Sequence, residues 1–194
     1  MKKTITIALF AIISITSFAQ EESEKHLRFK QTEIKGNSNS FFSELKSKGF
    51  NFTTEKQTQM TGLFAGQNVC ISIDRTCISN TVYQVCAKMA PRLIWNDVES
   101  DYMLFKTNLI KKYGEPAIVK EKFIEPYRKG DGFEIKAVNN NKLEYISYWI
   151  VPEGEITIQI ISGGRDLMLL IRYTDAHGFK LQEQEKTDLF LLDL

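Results

Sequence analysis

The stretch LEYISYWIVPEGEITIQIISGGRDLMLLIRYT, residues 143–174, decides the fold. Apolar residues recur at every second position, and the runs are cut at Pro152-Glu153-Gly154 and at Gly163-Gly164. Alternation with period two between turn residues is the pattern of antiparallel strands joined by tight hairpins. If Pro152-Glu153 and Gly163-Gly164 are the central pairs of two-residue turns, Val151 pairs with Gly154 and Ser162 with Arg165. Trp149 then faces Ile156, Ser147 faces Ile158 and Tyr145 faces Ile160. On the next hairpin Ile160 faces Leu167, Ile158 faces Leu169 and Ile156 faces Ile171. Both registers put the same residues on one side of the sheet, which is the expected core face.

The opposite face holds Ile146, Tyr148, Ile150, Glu155, Thr157, Gln159, Asp166, Met168, Leu170 and Arg172, with Glu155 expected across from Arg172 as an opposite-charge pair. Ile146, Tyr148, Ile150, Met168 and Leu170 are too apolar for an idle solvent face. Burial under another part of the chain is the plainer expectation. The alternative is a partner-binding surface at Tyr148, Ile150, Met168 and Leu170.

Next to it, residues 96–113 read as the clearest helix. Asn96 and Glu99 have capping-box spacing, and Val98, Tyr102, Phe105, Leu109 and Tyr113 recur at helical intervals. Lys111 and Lys112 sit at the negative end, and Gly114-Glu115-Pro116 stops the element, predicting a helix over 96–113. A first helix is expected over 40–48, with Phe41, Phe42 and Leu45 on one side and Gly49 at its end. Strands are expected at 50–55, 58–65, 68–74, 81–89, 117–124, 132–138, 143–151, 155–162 and 167–174, and a closing helix over about 176–192. Leu45-x3-Gly49 echoes Ile110-x3-Gly114, and Gly66 echoes Gly154. The expected fold is therefore α+β: two similar helix-plus-antiparallel-meander lobes in tandem, each with its own sheet, at 27–91 and 92–194.

Residues 1–19 read as an export signal. Lys2-Lys3 precedes fifteen uncharged, mostly apolar residues from Thr4 to Phe18, and Ser17-Phe18-Ala19 is a small-x-small cleavage pattern. The run is shorter than the ~20 residues of a spanning helix. Residues 20–26 read as a flexible start. No later run is long enough to span a membrane. Cleavage after Ala19 leaves 23 basic against 24 acidic side chains, so neither charge nor patterning suggests a nucleic-acid partner. The 194 residues are 43% hydrophobic and 25% charged, which excludes a disordered chain or a disulfide-dense mini-scaffold.

Catalytic patterns are scarce. There is no Gly-rich phosphate loop, no Gly-x-Ser-x-Gly and no His-Glu-x-x-His, and no cofactor is expected. Asp175-x-His177 offers two metal ligands without an identifiable third, and His26 lies in the polar start. Cys70, Cys77 and Cys86 survive signal cleavage. A hairpin centred near residue 78 would place Cys70 opposite Cys86, so a Cys70–Cys86 disulfide with Cys77 free is expected.

Phe64-Ala65-Gly66-x3-Cys70, Trp95-Asn-Asp-Val-Glu-Ser-Asp-Tyr102 and Lys111-Lys-Tyr-Gly-Glu-Pro116, with the export signal, resemble a broad set of small exported bacterial proteins of unknown function, over about residues 27–175. The element order resembles the tandem helix-plus-sheet architecture of β-lactamase-inhibitor-like proteins, an analogy of fold that carries no inhibition with it. The resulting expectation is an exported, periplasmic or extracellular, non-catalytic module that binds a protein or cell-envelope partner. The alternative is a small hydrolase using paired Asp/Glu carboxylates in a pocket.

Overall fold

The computed structural model describes residues 25–53, 58–192 and 194; the stretch read as an export signal, 1–19, and most of the stretch read as a flexible start, 20–26, lie outside these residues. The chain opens with a small hairpin, β1 (Arg28–Phe29) and β2 (Thr32–Glu33). Helix α1 (Ser38–Ser47) follows, its start held by Asn37 Oδ1 accepting from the Asn39 amide. Then come β3 (Asn51–Phe52), β4 (Gln59–Phe64), β5 (Gln67–Arg75) and β6 (Val82–Met89). Helix α2 (Trp95–Tyr113) leads into β7 (Ile118–Phe123), α3 (Glu134–Asn139), β8 (Leu143–Val151), β9 (Gly154–Ser162), β10 (Leu167–Asp175) and α4 (Ala176–Leu192).

The α+β class holds, but β3–β6 of the first half and β7–β10 of the second belong to a single antiparallel sheet rather than to two. Its order is β3-β4-β5-β6-β10-β9-β8-β7. The seam is β6 against β10, where Ile171 lies opposite Ala87 and Tyr173 opposite Val85. Inner-face residues of both halves, including Met60, Ile71, Ala87, Trp149, Ile158 and Ile171, join one continuous buried cluster. Helix α2 closes that face over β8–β10. Tyr102 Oη and Ser147 Oγ share a buried 2.6 Å hydrogen bond, and the Trp95 ring packs edge-on against Tyr145 at 4.9 Å.

Four local expectations are corrected. Residues 134–139 form a helical turn and a half where a strand was expected; Lys142 N donates to Ala137 O and buries Ala137 at the end of the sheet. Asn96 and Glu99 form no capping box, because α2 begins one residue earlier with Ile94 at the cap. Arg92 N and O are both bonded to Leu167, which sets where the chain turns into the helix. The Glu99 carboxylate instead accepts from Lys129 and Tyr145.

The first hairpin has the expected register, Val151 opposite Gly154, Trp149 opposite Ile156 and Ser147 opposite Ile158. Gly154 is required there: its φ is 150°, and a Cβ would run into the Thr174 carbonyl oxygen. The second hairpin is shifted by two residues. Gly163 N donates to Asp166 O, so the loop has four residues and Ser162 pairs with Leu167. Leu169 therefore faces Ile160 and Ile171 faces Ile158. A shift of two preserves side-chain parity, so the core face is as expected. It does break the proposed ion pair, since Glu155 lies opposite Thr174 and Arg172 opposite Thr157.

The fourth correction is the disulfide. The β5–β6 turn closes with Thr76 N donating to Thr81 O, and the ladder shifts register between Asp74 and Arg75. Cys70 ends opposite Lys88 and Cys86 opposite Ser72. The two cysteines are diagonal neighbours on one face, and all three thiols are free. Diagonal positions lie ~7–8 Å apart, beyond the reach of a bridge without backbone movement.

Candidate functional site

Alternation along β8, β9 and β10 sends Ile146, Tyr148, Ile150, Ile161, Met168 and Leu170 to the face opposite the core. Edge strand β7 adds Ile118, directly opposite Tyr148. Ile150 is 68% exposed and Ile118 49%, whereas Leu170 is only 8% exposed. Tyr148 and Met168 are half-buried. Three of the four predicted binding residues are thus accessible. Leu170 is corrected to a buried position, between Lys88 of β6 and Gln159 of β9 in the middle of the sheet. Burial, then the neighbouring Glu155 carboxylate, pushes the Tyr148 phenol up to about 12, so this tyrosine is a neutral donor at physiological pH.

On the β5–β6 side the same face is polar. Cys70, Ser72, Gln84, Cys86 and Lys88 occupy it, with Arg172 at the seam. Burial pushes the Cys86 thiol up against the opposing pull of Arg172, so it is not an activated nucleophile.

A second site gathers the two histidines. Asp175, fully buried at the end of β10, caps α4 by accepting from the Gly178 amide at 2.9 Å, and it also accepts from the Leu27 amide at 2.9 Å. His26 Nδ1 lies 3.1 Å from both of its oxygens, and the His26 and His177 rings are 5.4 Å apart. Asp175-x-His177 was legible in the sequence. Its partner His26, 149 residues from Asp175, was not, because only the packing of β1 beside the end of β10 brings it there. Among the described residues, no group of three or more His, Cys, Asp or Glu is arranged to hold a metal ion.

His26 borders two open clefts. One, of about 490 Å³, includes His177, Lys35 and Lys180. The other, of about 360 Å³, includes Arg28, Lys112, Glu33 and Glu153. This second cleft brings two carboxylates, Glu33 and Glu153, into one lining. Hydrogen bonds from Lys35 and then Arg28 hold the Glu33 carboxyl down at about 2, so it stays ionised and cannot deliver a proton.

The fold and these sites define an α+β protein with one eight-stranded antiparallel sheet, helices packed on its inner face and an apolar patch on its outer one. No helix among the described residues is long and apolar enough to cross a membrane. No protein-family model matches this chain, and neither a curated protein nor a solved structure matches it.

Proposed function

We propose that this chain is an exported, non-catalytic binding module that captures a protein or cell-envelope partner on the outer face of β7–β10. The observation that supports this reading is the group Ile118, Tyr148, Ile150 and Met168, which share the face turned away from the core and keep solvent access after folding. In this reading the export signal is cleaved after Ala19. The two halves, each a helix followed by four antiparallel strands, act as tandem lobes in the manner of the β-lactamase-inhibitor-like analogy, with the second lobe carrying the contact surface. The hydrolase alternative draws on the Glu33/Glu153 cleft and is weakened by the ion pairs that fix Glu33.

The test is capture from envelope extracts by the full chain, compared with Ile150→Asp, Ile118→Asp and, on the polar half, Ser72→Asp. The expected result is loss of the captured species with the first two at unchanged melting temperature, and retention with Ser72→Asp. Equal capture by all four proteins would overturn the proposal.

A further inference from the structure

An open sheet has two ends, and here they differ. At one end β3 is only two residues long and offers little to pair with. At the other, β7 runs for six residues, Ile118-Val-Lys-Glu-Lys-Phe123, and pairs with β8 on one side alone. Among the described residues, no other backbone group bonds its free side.

The ladder fixes which groups point off the sheet. In an antiparallel pair, residues that exchange hydrogen bonds alternate with residues whose N–H and C=O face away. Just past β7, Ile124 N donates to Lys142 O, which continues the register that sets Ile118 opposite Tyr148. Even-numbered residues of β7 therefore bond β8. The two-residue turn at Pro152-Glu153 gives the same parity: it makes Val151 and Gly154 a bonded pair, which leaves Ile146 and Tyr148 to bond β7. Val119, Glu121 and Phe123 thus direct their N–H and C=O groups outward, along an open edge.

The flanks of this edge carry a chemical preference. Ile118 is 49% and Val119 44% exposed, one on each face. Ile118, opposite Tyr148, carries the outer apolar patch to the rim. On that same face Lys120 and Lys122 share a single carboxylate, Glu144, at 3.4 and 3.2 Å, so one positive charge is left over. Glu121, on the inner face, is already paired with Lys106 at 2.6 Å. A second copy of β7 fits poorly. Antiparallel two-fold pairing centred on Lys120 or on Glu121 sets Lys120 opposite its own copy or opposite Lys122, and lysines on an edge discourage self-association. The same lysines attract a strand that carries carboxylates.

We propose that β7 takes an extended segment of a partner polypeptide as an added strand, with acidic side chains beside Lys120 and Lys122 and an apolar one beside Ile118. The proposal rests on capture at the outer face of β7–β10 and gives the partner there a chemistry: an acidic polypeptide held by backbone pairing.

The probe is acetyl-Val-Glu-Val-Glu-Val-Ile-amide, titrated into the ¹⁵N-labelled full chain. Laid antiparallel, it sets its glutamates opposite Lys122 and Lys120 and its isoleucine opposite Ile118. The expected result is slowed hydrogen exchange at the Val119, Glu121 and Phe123 amides, with those of Ile118, Lys120 and Lys122 unchanged because β8 already bonds them. Methylating the nitrogen of the central valine, which faces Glu121, should weaken binding roughly two- to tenfold, the worth of one neutral hydrogen bond. Methylating a glutamate nitrogen, which faces away, should not. Val119→Pro removes an outward N–H, a place where an edge strand accepts proline, and should weaken binding at unchanged melting temperature. Lys122→Gln, at an exposed side chain, should also weaken it, which keeps the test decisive if Val119→Pro does not fold. A peptide with lysines in place of the glutamates should bind more weakly than the acidic one.

No binding, no added protection at the three odd-numbered amides, equal effects of the two methylations, or equal binding of the acidic and basic peptides would each overturn the proposal. Envelope capture lost with Ile150→Asp but retained with Val119→Pro would keep the outer face and overturn the edge. Capture lost with Val119→Pro but insensitive to Ile150→Asp would support the edge and remove the outer face.

Discussion

The two halves of the sheet share an inner face and differ on the outer one. Inside, β4–β6 and β8–β10 contribute the same kind of residue, Met60, Val69, Ile71, Val85 and Ala87 on one side and Trp149, Ile156, Ile158, Leu169 and Ile171 on the other. Outside, β5 and β6 present Cys70, Ser72, Gln84, Cys86 and Lys88, with Leu63 of β4 the apolar exception, while β7–β10 present Ile118, Ile146, Tyr148, Ile150, Ile161 and Met168. One buried face is enough to hold an antiparallel sheet together, so the other is free to specialise. Here the β5–β6 half carries a mostly polar outer face, whereas the β7–β10 half sets Ile118, Tyr148, Ile150 and Met168 among Glu155, Thr157, Gln159 and Arg172.

Substitutions should separate these roles. The largest effect is expected at the shared inner face: Ile158→Ala removes a fully buried side chain and should cost about 2–5 kcal/mol in denaturant unfolding. Next comes Asp175→Ala, which strips the acceptor from the Leu27 and Gly178 amides and from His26. Leaving a buried donor unpaired costs about 1–3 kcal/mol, and calorimetry should show a loss of at least that size.

Within the outer apolar set, Leu170→Ala should be measurably destabilising because Leu170 is buried, whereas Ile150→Ser should stay within about 0.5 kcal/mol of the parent. Equal costs at the two sites would mean that the outer face is structural throughout. The smallest effect is a titration. The Tyr148 phenol should ionise at about 12 by ultraviolet absorbance, and Glu155→Gln should lower that midpoint. Because the folded value lies above the ordinary 10.0, its contribution to stability is complete below pH 10 and fades as pH rises toward 12.

Local signals read well where a turn or a repeat is self-contained. Gly154 fixed the first hairpin, since the short Pro152-Glu153 turn admits one register. The 3.6-residue spacing of Val98, Tyr102, Phe105 and Leu109 placed α2, and all four are buried as expected. Signals failed where a distant contact intervened. Gly163-Gly164 looks like a two-residue turn, but the Asp166 carbonyl closes a longer loop. The Asn96 cap was displaced because Arg92 is tied to Leu167. Cys70 and Cys86 were paired by counting through a turn that closes between Thr76 and Thr81 and a ladder that shifts at Asp74/Arg75. Of the candidate sites, the sequence supplied the outer apolar residues and Asp175-x-His177. It gave no sign of His26 as the neighbour of Asp175 and His177.

The sequence alone determined which side chains share a face, because alternation along a strand and recurrence along a helix are properties of neighbouring residues and survive a two-residue error in register. Only the tertiary structure decided that β6 and β10 join the halves into one sheet, that α2 covers one side of it, and that Ile150 is left in solvent while Leu170 is not. Those outcomes depend on which strands meet across long stretches of chain, and no residue encodes that by itself.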